Sequence, residues 1–168
     1  MRSIDGKSVL VVDDDAAMLR ALQKVLAGEG ASVATASWAG EVMERLDENQ
    51  GRFDLIITDL RMPILNGESV LRAVKAALPE VPVIVITAFG SPEKQAECRK
   101  AGAAAFLEKP LDTPQLLAAI DQVVSAPKPA HEGRGRGLSG LWKKSRKLSH
   151  SPSDLSGPPS SRRARPEG

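Results

Sequence analysis

The stretch Ser8-Val9-Leu10-Val11-Val12-Asp13-Asp14-Asp15 joins an unbroken apolar run to three adjacent carboxylates. Four consecutive apolar residues, three of them β-branched, show no polar alternation. That pattern marks a strand covered on both faces, the kind found in parallel sheets flanked by helices. The acids are harder to place. Like charges this close repel, and burial sharpens the repulsion, so the cluster needs a reason other than folding.

The same alternation of strand and helix continues outward. Met18, Leu19, Leu22, Val25 and Leu26 recur at helical spacing, and Gly28 and Gly30 mark the stop. Ser32–Ala36 reads as a weaker strand, and Val42, Met43 and Leu46 as a helix face. Leu55–Thr58 (LIIT) precedes a helix carrying Val70, Leu71, Val74, Ala77 and Leu78, closed by Pro79. Val83–Thr87 (VIVIT) is the strongest strand signal. Ser91-Pro92-Glu93 after it is a helix start, with a Ser cap and Pro in the first turn. Ala105–Glu108 is a short fifth strand, and Thr113-Pro114 opens a last helix carrying Leu116, Leu117, Ile120, Val123 and Val124. Five such units with continuous apolar strands predict an α/β protein: a doubly wound, five-stranded parallel sheet with right-handed crossovers. The fourth helix, over Glu93–Ala101, offers only Ala96, Cys98 and Ala101 for burial and is expected to be loosely held.

Of the 168 residues, 42% are hydrophobic, and the single cysteine excludes an intrachain disulfide, which fits a reducing compartment. The polar Met1–Lys7 segment is followed by too short an apolar run for a signal peptide. No run approaches the ~20 residues of a membrane span. A cytoplasmic location is expected. The net charge of +2 hides a split: residues 1–126 hold 13 Lys and Arg against 18 Asp and Glu, residues 127–168 hold 10 against 3. The sequence thus divides into an acidic domain, 1–126, and a basic tail, 127–168. The tail contains 6 Pro, 6 Gly and 8 Ser, cannot bury enough surface to offset its ordering entropy, and is expected to be disordered. Within it, Leu138, Leu141 and Trp142 stand among cations, a pattern suited to an anionic membrane surface, a nucleic acid or an acidic protein. A solvated end is the plainer reading. No helix-turn-helix follows the domain, so sequence-specific DNA binding is not expected.

Ligands of open α/β sheets bind outside the carboxyl ends of the strands. Asp13, Asp14 and Asp15 follow the first strand, Asp59 the third and Lys109 the fifth; the fourth ends in Thr87, and the second offers only Ser37 and Trp38. An Asp after a strand is often only the cap of the next helix, and Asp15, nearest the helix start, is assigned that role. The remaining carboxylates call for a cation. Oxygen-only donors favour a hard ion, Mg²⁺ where phosphate completes its shell, and a lysine and a hydroxyl suit the phosphate oxygens.

Together "VVDDD", "IITDLRMPILNGE", "VIVITA" and "AAFLEKP", in that order and spacing, resemble the receiver domain of two-component response regulators over residues 7–125. The resemblance implies a flavodoxin-like sheet of strand order 2-1-3-4-5 in a stand-alone receiver with a basic tail. It makes Asp59 the phosphoacceptor, charged from a sensor histidine kinase or a histidine phosphotransfer protein. It assigns Mg²⁺ to Asp14, Asp59 and the backbone carbonyl of Arg61, with Asp13 holding a metal-bound water. Lys109, joined to Pro110 by an expected cis bond, pairs with a phosphoryl oxygen, and the Thr87 hydroxyl donates to the phosphoryl group. Phe106, where the family often has Tyr, turns inward as Thr87 moves, and the face of helix 4, strand 5 and helix 5 carries the signal.

The activity so implied is confined to the domain's own phosphotransfer and dephosphorylation; it is not an enzyme acting on other substrates. Arg61 and Phe89, two residues after Asp59 and Thr87, flank the expected water path, and their bulk predicts slow self-dephosphorylation. The two histidines, His131 and His150, both lie in the tail, so the domain receives phosphate and does not act as a phosphohistidine kinase. A phosphatase of the haloacid dehalogenase type also uses Asp, Mg²⁺, Thr and Lys, but places its nucleophile after the first strand with an acid two residues on; here Arg61 stands two after Asp59. A receiver-like binding module that dispenses with phosphorylation is opposed by the complete set of Asp13, Asp14, Asp59, Thr87 and Lys109.

Overall fold

The computed structural model describes residues 3–61, 67–88 and 90–126. Five strands, β1 (Ser8–Val12), β2 (Ser32–Ala36), β3 (Leu55–Asp59), β4 (Val83–Thr87) and β5 (Ala105–Glu108), alternate with five helices, α1 (Ala16–Gly28), α2 (Ala39–Glu48), α3 (Gly67–Ala77), α4 (Pro92–Lys100) and α5 (Thr113–Ser125). The strands pair in parallel in the order β2-β1-β3-β4-β5. The order reverses between β1 and β3, which opens a crevice at their carboxyl ends. The third strand runs one residue further than the apolar pattern indicated: Asp59 pairs with Ile86 of β4, and the Leu60 N–H donates to the Ile86 carbonyl at 3.2 Å.

Successive side chains of a strand point to opposite faces, so the apolar runs feed two cores at once. Leu10, Val12, Ile56, Val83 and Val85 pack under α2, α3 and α4 with Val42, Leu46, Leu71, Val74 and Cys98. Val9, Val11, Leu55, Ile57, Ile84 and Ile86 pack under α1 and α5 with Leu19, Leu22, Leu26, Leu116 and Ile120. Each fully buried aliphatic side chain contributes about 1.5–3 kcal/mol. That is why β3 and β4 are buried at every position while the edge strand β2 is buried only at Ala36. The outer side of β2 is not left open: the Arg45 guanidinium reaches from α2 and donates to the Thr35 carbonyl at 3.2 Å.

Helix starts follow local chemistry. The Asp15 carboxylate accepts from the N–H groups of Ala17 (2.8 Å) and Met18 (3.2 Å), as expected of a cap. Ser91 caps α4 through the Lys94 N–H at 3.2 Å. At α2 the capping position is Trp38, which makes no side-chain cap bond; Glu41 instead accepts from the Ser37 N–H (2.5 Å) and hydroxyl (2.8 Å). The sparse burial expected of the fourth helix is observed, since among the described residues α4 buries Cys98 alone. Among the described residues no helix is long and apolar enough to cross a membrane. The expectations for Phe89 and for the tail, 127–168, lie outside the described residues.

Ile84 is fully buried on the α1/α5 side of β4. Ile84→Ala is expected to lower unfolding free energy by about 2–5 kcal/mol, measured by urea titration of the full chain.

Candidate functional site

The β1 ladder continues one bond past the strand: the Asp13 N–H donates to the Ala36 carbonyl at 3.1 Å. This fixes the Asp13 backbone at the rim, and its side chain is held twice, by the Asp15 N–H at 2.8 Å on one oxygen and the Lys109 ammonium at 2.8 Å on the other. Asp59, locked into the β3–β4 ladder, is held in the same fashion. One carboxylate oxygen accepts from the Arg61 N–H at 3.0 Å and the other from the Lys109 ammonium at 2.9 Å. The two acids are only 3% and 6% exposed. A single lysine therefore bridges two buried carboxylates at the ends of the strands that flank the crevice.

Lys109 is placed by β5. Its N–H donates to the Thr87 carbonyl at 2.8 Å, and its peptide bond to Pro110 is cis. Thr87, 1% exposed, ends β4 next to Asp59 on β3. Asp14 is exposed beside them, and Asp13, Asp14 and Asp59 each offer a carboxylate oxygen within 4.8 Å of the others. At the rim of β2, Ser37 is engaged by the Glu41 carboxylate, and Trp38, 52% exposed, lies over Gly40.

Burial pushes the Asp13 carboxyl above its ordinary range; the bonds from Lys109 and from the Asp15 N–H oppose the shift without cancelling it. Burial acts on Lys109 in the opposite sense, but its hydrogen bonds to Asp13 and Asp59 outweigh it, and the ammonium is held above its ordinary value. Asp15 is lowered by the N–H groups of Met18 and Ala17, which marks it as part of the helix rather than of the cluster. One ammonium facing three carboxylates leaves the pocket short of positive charge. The donors are all oxygens, the chemistry that suits a hard divalent ion such as Mg²⁺.

Of the residues singled out in the sequence, Asp13, Asp14, Asp59 and Lys109 meet here, Thr87 ends the adjoining strand, and Arg61 joins through its main chain. Phe106 lies one strand further out, opposite Val85, and packs on the α2–α4 side of the sheet. Its ring and the Glu108 carboxylate crowd Gly90, where a Cβ would stand 2.9 Å and 2.1 Å from their nearest atoms. Gly90 thus lies directly against Phe106.

Gly67 was not anticipated. A Cβ there would sit 2.3 Å from the Asp59 carbonyl oxygen and 2.5 Å from the Leu60 Cα, and the Gly67 N–H donates to the Leu60 carbonyl at 3.1 Å. The start of α3 is pressed against the backbone that carries Asp59. The only sequence signal is the Asn66-Gly67 pair, which marks a turn without saying what the glycine must clear.

A family model of the response regulator receiver domain matches residues 9–121. The transcriptional regulatory protein ZraR of Escherichia coli (strain K12) is 37% identical over 121 residues, 72% of this chain but 27% of ZraR; the chain thus spans about a quarter of that relative's length. A receiver domain protein from Clostridium thermocellum superposes with a TM-score of 0.66 at 33% identity, covering 70% of this chain and 94% of that one. CheY in a CheX–CheY–BeF3–Mg complex from Borrelia burgdorferi is similar at a TM-score of 0.68 and 26% identity, over 73% of this chain and 92% of that one.

The close approach at Gly67 has a direct consequence. Gly67→Ala forces a methyl against main-chain atoms that cannot swing aside and is expected to cost about 1–3 kcal/mol of stability. Gly28→Ala, which meets nothing within 4 Å, is expected to change stability by no more than about 0.5 kcal/mol. Urea midpoints of the two variants measure the contrast.

Proposed function

The chain belongs to the response regulator receiver-domain family, and on that premise we propose that Asp59 is its phosphoacceptor, charged by a sensor histidine kinase or a histidine phosphotransfer protein. One observation carries the reading: a single ammonium held 2.8 Å and 2.9 Å from two carboxylates across the sheet's crevice. Receiver domains are signalling domains, so the product is a change of state in the protein itself.

In the forward step an Asp59 carboxylate oxygen attacks phosphorus. The P–O bond forms as the P–N bond to the donor imidazole breaks, and that nitrogen keeps the electron pair. Phosphoryl transfer needs mainly alignment and charge neutralisation. Lys109 already holds one Asp59 oxygen, which leaves the attacking geometry fixed before a donor arrives, and it can pass a hydrogen bond from that oxygen to the phosphoryl group. The Thr87 hydroxyl donates to a second phosphoryl oxygen. Asp14, Asp59 and the Arg61 carbonyl are the ligands proposed for Mg²⁺, with Asp13 reaching it through water. When bound, the ion supplies the positive charge that three carboxylates and one lysine leave wanting. In the return step water attacks phosphorus, the P–O bond to Asp59 breaks, and inorganic phosphate leaves.

Phosphorylation adds about −1.5 to −2 of charge. Thr87 drawn toward it pulls the segment that leads to Gly90, which borders Phe106, and the signal leaves through α4, β5 and α5 to a partner protein. This reading places the domain in the cytoplasm, where its phosphodonor acts.

Incubation with acetyl phosphate and Mg²⁺ is expected to add the mass of one phosphoryl group, seen by intact-protein mass spectrometry, and none in Asp59→Asn. An adduct that persists in Asp59→Asn defeats the assignment. The bulk of Arg61 and Phe89 sets a second expectation, a phosphorylated lifetime of minutes or longer. Decay of the adduct followed in time tests it, with Phe89→Ala decaying faster than the native protein; a native lifetime of seconds contradicts it.

A further inference from the structure

The geometry points to a latch, formed by Lys94 of α4 and Glu68 of α3, that holds α4 in its unphosphorylated position and opens when a phosphoryl group occupies Asp59. The inference rests on the phosphorylation reading above and extends it to how that site is restrained.

Alpha-helical burial does little to fix α4. It inserts Cys98 alone, whereas α3 inserts Val70, Leu71 and Val74 and α1 inserts Leu19, Leu22 and Leu26. What ties its first turn to a neighbouring helix is the Lys94 ammonium, 2.7 Å from the Glu68 carboxylate and 2.9 Å from that of Glu97 one turn along. A cation in the first turn of a helix opposes the helix dipole; the pair with Glu97 offsets this within α4, and the pair with Glu68 reaches beyond it. Hydrogen bonds to the Glu68 and Glu97 carboxylates hold the Lys94 ammonium well above the usual lysine range.

The two ends of the latch are each one short step from the site. Glu68 follows Gly67, where an added Cβ would meet the Asp59 and Leu60 main chain and whose N–H donates to the Leu60 carbonyl. Lys94 lies in the first turn after Ser91, and residues 88–91 lead back to Thr87. The ion pair therefore spans the segments that follow β3 and β4, the strands that bear the phosphoacceptor and the hydroxyl that answers it. Movement of Thr87 toward a phosphoryl group shifts the start of α4 against a start of α3 that Gly67 keeps fixed. A bond that exists in one state only biases the equilibrium by its own strength.

The test compares the full chain with Lys94→Met, Glu68→Gln, the double variant and Lys94→Arg, which keeps the pair. Affinity for beryllofluoride, a phosphoryl mimic, is measured with Mg²⁺ present, and the rate at which a disulfide reagent labels Cys98, the chain's only cysteine, reports opening of α4. Each single charge-removing variant is expected to bind beryllofluoride about two- to five-fold more tightly and to label faster in its absence. The double variant should gain no more than either single one, and Lys94→Arg should match the native protein. Unchanged or weakened affinity in both single variants overturns the latch, as does full additivity in the double. Native protein that fails to bind beryllofluoride, or binds it equally as Asp59→Asn, overturns the phosphorylation reading and the latch with it; the two failures are thus distinct.

Discussion

Everything at the carboxyl edge of the sheet is organised around the ammonium of Lys109. Asp13 and Asp59 are both buried, and two like charges in such a position repel strongly unless a counter-charge sits between them. Lys109 supplies it at 2.8 Å and 2.9 Å. Each carboxylate also keeps one oxygen on a main-chain N–H, from Asp15 or Arg61. The lysine is in turn aimed by its own N–H bond to Thr87, so the bridge ties together the ends of β1, β3, β4 and β5. The apolar layers beneath keep water from the lower side of the cluster, which strengthens its internal electrostatics.

The same layers explain why reactive groups stand at the strand ends. Every side chain of β3 and β4 is buried, and the aliphatic ones divide between the two cores. Thr58, fully buried inside β3, is tolerated because its hydroxyl donates to the Asp59 carbonyl at 3.2 Å; the charged residue stands at the strand end, where the ladder still fixes its backbone. Asp59 and Thr87 occupy the ends of β3 and β4. Both are held at the rim by the strand ladder and are nearly buried, a rigid placement that suits the chemistry proposed for them.

The fold was largely legible because its determinants are local. Short apolar runs, helical spacing and the short-range caps at Asp15 and Ser91 each act within a few positions of themselves. The end of β3 was misjudged by one residue because hydropathy stops at the first charge, while Asp59 continues the ladder as a buried acid. The meeting of Asp13, Asp14, Asp59 and Lys109 was legible only through the strand-end rule, since nothing in the spacing of Lys109 from Asp13 indicates contact. Gly67 and the pair of Lys94 with Glu68 were not foreseen. The first depends on how closely two backbone segments approach, and the second joins residues 26 positions apart on faces that read as solvated.

Arg45 has a consequence for how copies of the domain can meet. A parallel sheet that ends in an unpaired strand offers its outer carbonyls and N–H groups to any extended chain that passes. The guanidinium on the Thr35 carbonyl occupies that outer row midway along β2, so a visiting strand loses a hydrogen bond and meets a bulky cation. The sheet is closed to lengthening on this side. Strand addition is disfavoured at this edge of the sheet.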